Sequence, residues 1–566
     1  VGLIPRKIKG QLSHLKGAQP GDHVIMVGGR VGKDGIHGAT FSSEKLDPNS
    51  PVTAVQIGDP ITQKKFSDVI IRELREKNLY SSITDNGAGG LSSSVGEMAK
   101  ESGGFAIDLE KIPLKYEGLY PWEIWISESQ ERMTLAVHPK NVQKVISIFT
   151  QRGVEATSIG KFTKKKKAIV RYNNVDVMNM DMKFLHEGYP KFHLKTSKPS
   201  FINIKKSQIK KHSFKKELLT LLASPNICSK EFISTQYDHE VQATSIIKPL
   251  QGEGRVFSDA TAIKPLFSSN QSLALSQAAF PRYANLDAYK MAACSVDTAV
   301  RNLVVLGANI KKIALLDNFC WCSPEEEERL YQLKKAAEAC HDYALAYRTP
   351  FISGKDSMYN DFSGFDAKNN KIKISIPPTL LISSLGIVKS INDLTSICPS
   401  IKDLIYVIGE TKEELGGSEY GNMFGYENIN VPSVNPKKAL KLYNVFSRAN
   451  KKDLISSAIS VHMGGLGVAF SKMAIASQTG MQLDLSRINL FGSANTLFAE
   501  SQSRMIVSIK PSNKKFFEKL FTRHIINRVG ECTSKKKFLC RLSNKDSIQV
   551  TVSDLTRAYK GNIKKL

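Results

Sequence analysis

Residues 83–102 read ITDNGAGGLSSSVGEMAKES. An apolar lead-in ends at Thr84-Asp85, a glycine-rich turn follows, and Val95, Met98 and Ala99 then recur at helical spacing. Glycines let backbone amides close on an anion, and a helix N-terminus adds a dipole that favours phosphate. Asp85, at the turn, could hold Mg²⁺ against the same phosphate. The bland alternative is a strand-to-helix connector in which Asp85 only caps the helix.

The pattern returns. Gly464-Gly465-Leu466 repeats Gly89-Gly90-Leu91 at an offset of 375 residues. Asp403 to Gly409 repeats Asp22 to Gly28 at 381, and Glu500-Ser-Gln-Ser-Arg-Met505 repeats Glu128-Ser-Gln-Glu-Arg-Met133 at 372. Three matches in one order, at a slowly drifting offset, mark a duplicated domain with small deletions. Aligning Gly464 on Gly89 puts Ser460 at the position of Asp85. The second copy therefore keeps the loop without the acid, and is expected to be a decayed or structural nucleotide site.

A chain of 566 residues is too long for one core and implies roughly three to five domains. Its 41% hydrophobic and 23% charged residues are those of a globular protein. No apolar run approaches the roughly 18 residues of a membrane span and no signal peptide is read, so no membrane partner is expected, while cysteines that make no disulfide framework fit a reducing cytoplasm. The chain opens on Val1 without an initiator methionine, which suggests a fragment or a processed chain. Eight cysteines form neither a disulfide framework nor a zinc pattern, although Cys320 and Cys322 make a C-x-C. The charge of +26 is concentrated at Lys164 to Lys167, Lys205 to Lys216 and Lys535 to Lys537. Phe214 is the single aromatic in the longest run, so a stacking platform is missing and no specific nucleic-acid partner is expected. Weak attraction to anionic substrates fits better.

Other segments read simply. His23 to Val27 is a strand, and Gly28 to Gly38 a loop that could meet an anion through Arg30 or Lys33, or only cover the surface. Pro60 suits the start of a helix over 61–77. Residues 174–234 read as a lysine-rich crossover or linker with some helix. Asn285 to Leu306 and Glu325 to Tyr347 have helical patterning, and Ile313 to Asn318 and Pro377 to Val388 are apolar strands. Thr349 to Asn360 reads as a strand ending in a Gly354-Lys-Asp-Ser357 turn. That turn lacks the first glycine of a P-loop, so a P-loop NTPase is rejected. Strand ends carrying Asp317-Asn318 and 354–357 are where α/β folds place ligands.

GDHVIMVGGRVGKDGIHGATFSS, AVQIGDP, ITDNGAGGLSSSVGEMA, ISESQERM, SVDTAVRNLVVLGA, LLDNF and TPFISGKDSMYND occur in this order. Together they resemble the phosphoribosylformylglycinamidine synthases, from about Pro20 to the C-terminus. The resemblance implies an α+β fold of α/β layers, built from duplicated aminoimidazole-ribonucleotide-synthetase-like A and B domains. On that plan residues 1–20 are the tail of a first A domain and 21–170 the first B domain. Residues 171–234 are then a crossover, 235–399 the second A domain, 400–553 the second B domain and 554–566 a basic tail. The family's catalytic histidine would lie upstream of Val1.

The implied reaction is that of a carbon–nitrogen ligase using glutamine-derived ammonia, with ATP as substrate and Mg²⁺ as cofactor. A glutaminase subunit, and a small bridging subunit, are the implied partners. By motif, Gln56, Glu128, Ser129, Gln130 and Ser357 resemble substrate-binding positions, and Asp317 and Gly354 ATP contacts. Asp85 and Asp356 resemble metal ligands. Lys355 stands where shorter relatives often have a metal-ligating Asn, and a charged lysine cannot ligate Mg²⁺. Thr298 stands where an acid is common, with Asp297 beside it. His37 lies in a family motif and is expected only to shape its loop. The competing readings are another enzyme of the same ATP-binding superfamily, such as a selenophosphate synthetase or thiamine-phosphate kinase, and a non-catalytic basic scaffold.

Overall fold

The computed structural model describes residues 7–8, 11–12, 17–36, 58–199, 213–236, 240–425 and 430–561. They fall into two compact units, Val1–His193 with Ser363–Lys371, and Leu194–Phe362 with Ile372–Leu566.

The first unit holds a seven-stranded sheet. Its strands are β1 (His23–Gly28), β2 (Ser82–Asp85), β3 (Gly104–Asp108), β4 (Arg132–Val137), β5 (Ala156–Thr163), β6 (Lys167–Tyr172) and β7 (Val175–Asp181), in the order β2-β4-β1-β5-β3-β6-β7. Only β3 and β6 run parallel. The apolar run of β1 is explained by burial on both faces. Val24 and Met26 pack toward α2 (Gly90–Ser102), whereas Ile25 and Val27 pack toward α1 (Pro60–Val69) and α3 (Val142–Gln151). Asp59 caps α1 through the amides of Ile61 and Thr62. The helix then widens into a π-turn over Ile70–Leu74.

In the second unit the first helix or strand among the described residues is α4 (Phe214–Leu222). A six-stranded sheet follows: β8 (Ser245–Ile247), β9 (Ala260–Ile263), β10 (Ser272–Ala278), β11 (Ile313–Cys320), β12 (Phe351–Ser357) and β13 (Thr379–Val388), ordered β8-β9-β10-β13-β11-β12. Helices α5 (Ala288–Leu306) and α6 (Glu327–Tyr347) pack with it. The first sheet's topology then recurs in β14 (Leu404–Ile408), β15 (Ser457–Val461), β16 (Gly480–Asp484), β17 (Arg504–Ile509), β18 (Ile526–Thr533), β19 (Lys537–Arg541) and β20 (Ser547–Thr551). Their order, β15-β17-β14-β18-β16-β19-β20, reproduces the first sheet strand for strand. Helices α7 (Pro436–Lys451), α8 (Gly465–Ser477), α9 (Lys514–Leu520) and α10 (Val552–Lys560) complete this half. The duplication read from three short motifs is thus an identity of topology.

Three segments differ from the sequence reading. Residues 354–357 are not a turn: they continue β12, paired in parallel with β11 from Asp317↔Gly354 to Cys320↔Ser357. The supposed crossover supplies β7 to the first sheet. The helix expected within this stretch is α4, whose Leu218, Leu221 and Leu222 are buried in the second core. Most of α10 falls within the supposed basic C-terminal tail, and its Val552, Leu555 and Tyr559 are buried on one face.

Candidate active site

The Glu-Ser-Gln-x-Arg-Met motif builds the same corner in each copy, and much of it is structural. Arg132 donates from Nε to the Ser129 carbonyl at 2.7 Å and from Nη2 to the Ser127 carbonyl at 2.5 Å. In the second copy Arg504 bonds the Ser501 carbonyl at 2.9 Å and also the Ala499 carbonyl. Burial pushes both guanidinium groups down to about 10. Ser129, fully buried, accepts the Gly32 amide at 2.9 Å and donates to Asp34, which ties loop 31–36 to the corner. Its hydroxyl is therefore already engaged inside the protein. Gln130 is exposed, and its amide nitrogen reaches the Glu128 carbonyl at 3.2 Å.

The glycine turn sits against this corner. Gly90 has φ 54°, and a Cβ there would stand 2.0 Å from the Ser127 carbonyl oxygen; its counterpart Gly465 has φ 64° and faces the Ala499 carbonyl at 2.6 Å. Only glycine fits either place. The Gly89 amide donates to Glu128 Oε1 at 2.9 Å, and the Gly464 amide to Glu500 Oε1 at 2.8 Å. The Gly87 amide goes to Asp85 Oδ1 at 3.0 Å, and the Gly90 amide to the Gly87 carbonyl at 2.9 Å. The sequence reading set these amides aside for a phosphate; the structure corrects it, because each already has an acceptor within the loop or the corner.

Asp85 ends β2, opposite Met133, and is exposed. Ser460 ends up opposite Met505 in the same way, which fixes the two as equivalents. Asp85 Oδ2 makes no hydrogen bond among the described residues. Next to it, Asn86 is 4% exposed; its Oδ1 accepts the Thr134 hydroxyl at 2.7 Å, and its Nδ2 has no partner. Sequence reasoning missed Asn86, although its counterpart, Val461, is apolar. A carboxylate with a free oxygen beside an unsatisfied buried amide suits a hydrated divalent cation with phosphate oxygens. Mg²⁺ takes one or two carboxylates and leaves the remaining positions to water and phosphate. No group of three or more acidic, histidine or cysteine side chains forms a metal cage among the described residues.

The second copy is closed at this point. Arg301, from α5, is fully buried and donates from Nε to Ser460 Oγ at 2.7 Å and from Nη2 to the Val461 carbonyl at 3.1 Å. It pairs with Asp297, which also accepts the hydroxyls of Tyr347 and Tyr443, both at 2.6 Å. Thr298 bonds Gln502 Oε1 at 2.8 Å. The i,i+4 acid–base pair inside an otherwise apolar helix was the available sequence signal for this network. Asp259 forms a second, partly buried cluster with His462 at 3.1 Å and Lys472 at 3.4 Å. Burial raises its pKa, but Lys472 and His462 outweigh that and hold it well below the carboxylate range.

On β11 and β12, Asp317 and Gly354 are in register, and a Cβ on Gly354 would meet Asp317 Oδ1 at 2.3 Å. Burial pushes the Asp317 carboxyl up and Asp356 adds to this, while the Lys355 amide opposes both. Asp356 is exposed, and Ser357 is buried and accepts from Lys355 Nζ. Of the loop candidates, Arg30 is paired with Glu155 at 2.5 Å and Lys33 with Glu123 at 3.1 Å. Gln56 and His37 lie outside the described residues.

Residues 19–173 and 402–541 each match the family described as AIR synthase related protein, C-terminal domain, and residues 257–376 match its N-terminal domain. The fold and the corner thus define a duplicated AIR-synthase-related chain. The PurL subunit of phosphoribosylformylglycinamidine synthase from Methanocaldococcus jannaschii is 33% identical, over 99% of this chain and 74% of that protein. Thermotoga maritima PurL structures, one complexed with ADP and one with FGAR, superpose with a TM-score of 0.63 at 19% identity. They cover 92% of this chain and 72% and 73% of theirs. A T. maritima PurLQS structure gives 0.62 at 18%, over 92% and 72%. The chain belongs to the PurL family of phosphoribosylformylglycinamidine synthase subunits. No described helix is long and apolar enough to cross a membrane.

Proposed function

We propose that the chain amidates formylglycinamide ribonucleotide to formylglycinamidine ribonucleotide at the expense of ATP, with ammonia delivered from glutamine by a separate glutaminase subunit. The observation that carries this reading is the asymmetry of the duplication. One glycine turn presents Asp85 and Asn86, and the other presents Ser460 and Val461 beneath a buried arginine.

In the proposed reaction the substrate amide oxygen attacks the γ-phosphorus of ATP, the bond to the bridging oxygen breaks, and ADP leaves. Ammonia then adds to the carbon of the iminophosphate, phosphate leaves with the original oxygen, and the surplus proton passes to solvent. Such chemistry asks a protein mainly for positioning and charge neutralisation. Asp85 and Asp356 are the carboxylates we assign to Mg²⁺, which when bound offsets phosphate charge. Asn86 Nδ2 supplies a donor for an oxygen beside Asp85. Glu128 fixes the glycine turn through Gly89 and, with Gln130 and Ser357, is assigned to the ribonucleotide; Gln56 joins them on sequence grounds. Asp317 and Gly354 are assigned to ATP. One of the matched structures is of PurLQS rather than PurL alone, which supports a partner-dependent ammonia supply.

Phosphate release from ATP, measured with ammonium salt in the presence and absence of formylglycinamide ribonucleotide, tests the proposal. Release that requires both is expected. Release driven instead by thiamine phosphate or selenide points to another enzyme of the superfamily. No release by this chain, or by the product of its full open reading frame with the glutaminase added, leaves only a scaffold role.

A further inference from the structure

A cavity of about 880 Å³ opens between α7 and α9 in the second unit. Arg448, Lys452, Lys519, Arg523 and His524 line it, and no carboxylate does. None of the four lysine and arginine side chains has an ion pair or hydrogen bond among the described residues. Glu518, beside Lys519, accepts the Tyr406 hydroxyl at 2.8 Å instead. Val445, Leu454 and Leu520 give the cavity an apolar base, and Phe516 stands 65% exposed on its lining. His524 is held below its ordinary value by burial, and then by Arg448 and Lys441.

The first copy supplies an internal control. Asn78 and Asp453 close the two equivalent helices with φ 51° and 53°. The following amides return alike, Leu79 to the Leu74 carbonyl at 3.0 Å and Leu454 to the Ala449 carbonyl at 3.1 Å. That register sets Arg448 in the place of Glu73, and Lys452 in the place of Lys77. Glu73 accepts Arg152 at 2.9 Å and pairs with Lys77 at 3.8 Å, so the first copy is neutralised there. The second copy carries the opposite charge at the same point, with more cations around it. Like charges gathered on one wall repel, and an anion between them relieves that cost.

We propose that this cavity binds a polyphosphate group. Its volume falls in the roughly 300–1,000 Å³ range of small-ligand sites. Arg448 and Arg523 provide planar donor forks for phosphate oxygens, and the lysines add point charge. The apolar base and Phe516 accept a ring or other carrier attached to the phosphates. The site does not depend on the reaction proposed above. Inorganic tripolyphosphate and nucleoside triphosphates share the chemistry it recognises.

Calorimetric titration of the intact chain tests it, with tripolyphosphate, ATP and a single-stranded oligonucleotide as probes. Saturable tripolyphosphate binding is expected. R448E, which restores the charge of the first copy, should weaken it by about tenfold or more, and R523Q should weaken it while thermal unfolding stays close to wild type. Tighter binding of ATP, with the gain lost in F516A, identifies a ring-bearing carrier; equal affinities identify the polyphosphate alone. The proposal is overturned if tripolyphosphate fails to bind at about 1 mM. It is equally overturned if R448E and R523Q leave binding unchanged, or if the oligonucleotide binds more tightly than tripolyphosphate.

Discussion

Arg301 Nε lies 2.7 Å from Ser460 Oγ, and Ser460 holds in the second copy the strand position that Asp85 holds in the first. A cation thus covers the point where the other copy presents an anion. Removing it is costly for reasons that lie in Asp297, which is itself fully buried. R301M would leave that carboxylate without its partner, and should destabilise the protein by about 3–5 kcal/mol. S460A deletes one neutral acceptor and should cost about 1 kcal/mol. Urea unfolding of the two variants checks the contrast.

The same asymmetry sets an activity prediction. D85N removes the charge from an exposed side chain whose other oxygen only accepts the Gly87 amide. The fold should be unaffected, and ammonia-dependent phosphate release should fall by about 10²-fold or more. S460D should not rescue it, because the new carboxylate would be neutralised by Arg301. Recovery of activity in D85N/S460D would show that the second turn can serve.

Asn86 separates a structural from a ligand-binding role. N86D keeps an acceptor for the Thr134 hydroxyl but replaces the unpartnered donor. If Nδ2 meets a ligand oxygen, N86D should raise the KM for ATP or ribonucleotide by about tenfold, on top of a stability loss from placing a carboxylate in a buried site beside Asp85. A stability loss with KM intact would make Asn86 a packing residue.

Glu500 predicts a pH dependence of stability. It is fully buried, and burial raises its pKa from 4.5 to about 7 although Tyr283 and the amides of Gly464 and Glu419 all donate to it. The native state therefore holds a proton that the unfolded chain releases above 4.5. The stabilisation is fully present below that value and is lost as pH rises through about 7, a change on the order of 3 kcal/mol. E500Q retains an acceptor and cannot titrate, so its unfolding midpoint should be flatter across this window. Parallel pH profiles for wild type and E500Q would assign the effect elsewhere.

The duplication was legible because its markers are backbone constraints. Gly90 and Gly465 each face a carbonyl oxygen that excludes any side chain, so both copies show the same glycines. The Arg301–Ser460 contact was not legible, because it joins residues 159 positions apart, one of them inside a helix with an apolar pattern. Strand β7 was hidden for a related reason: most of its residues are exposed, so no apolar alternation announces it. At 354–357 the local composition favours a turn, and parallel pairing with β11 overrides it.

That pairing makes Gly354 a sharper test of the ATP assignment than either acid alone. A Cβ at this position would press on Asp317 Oδ1, 2.3 Å away. The carboxylate would have to rotate away from β12 to make room. Since β12 is an exposed edge strand, G354A should change stability by no more than about 1 kcal/mol. If Asp317 contacts ATP, its displacement should raise the KM for ATP by about tenfold. D317N should have a comparable effect, and D317N/G354A should be no worse than D317N, because both changes act through one group. Additive losses in that cycle would mean that Gly354 contacts the nucleotide through its own backbone, independently of Asp317.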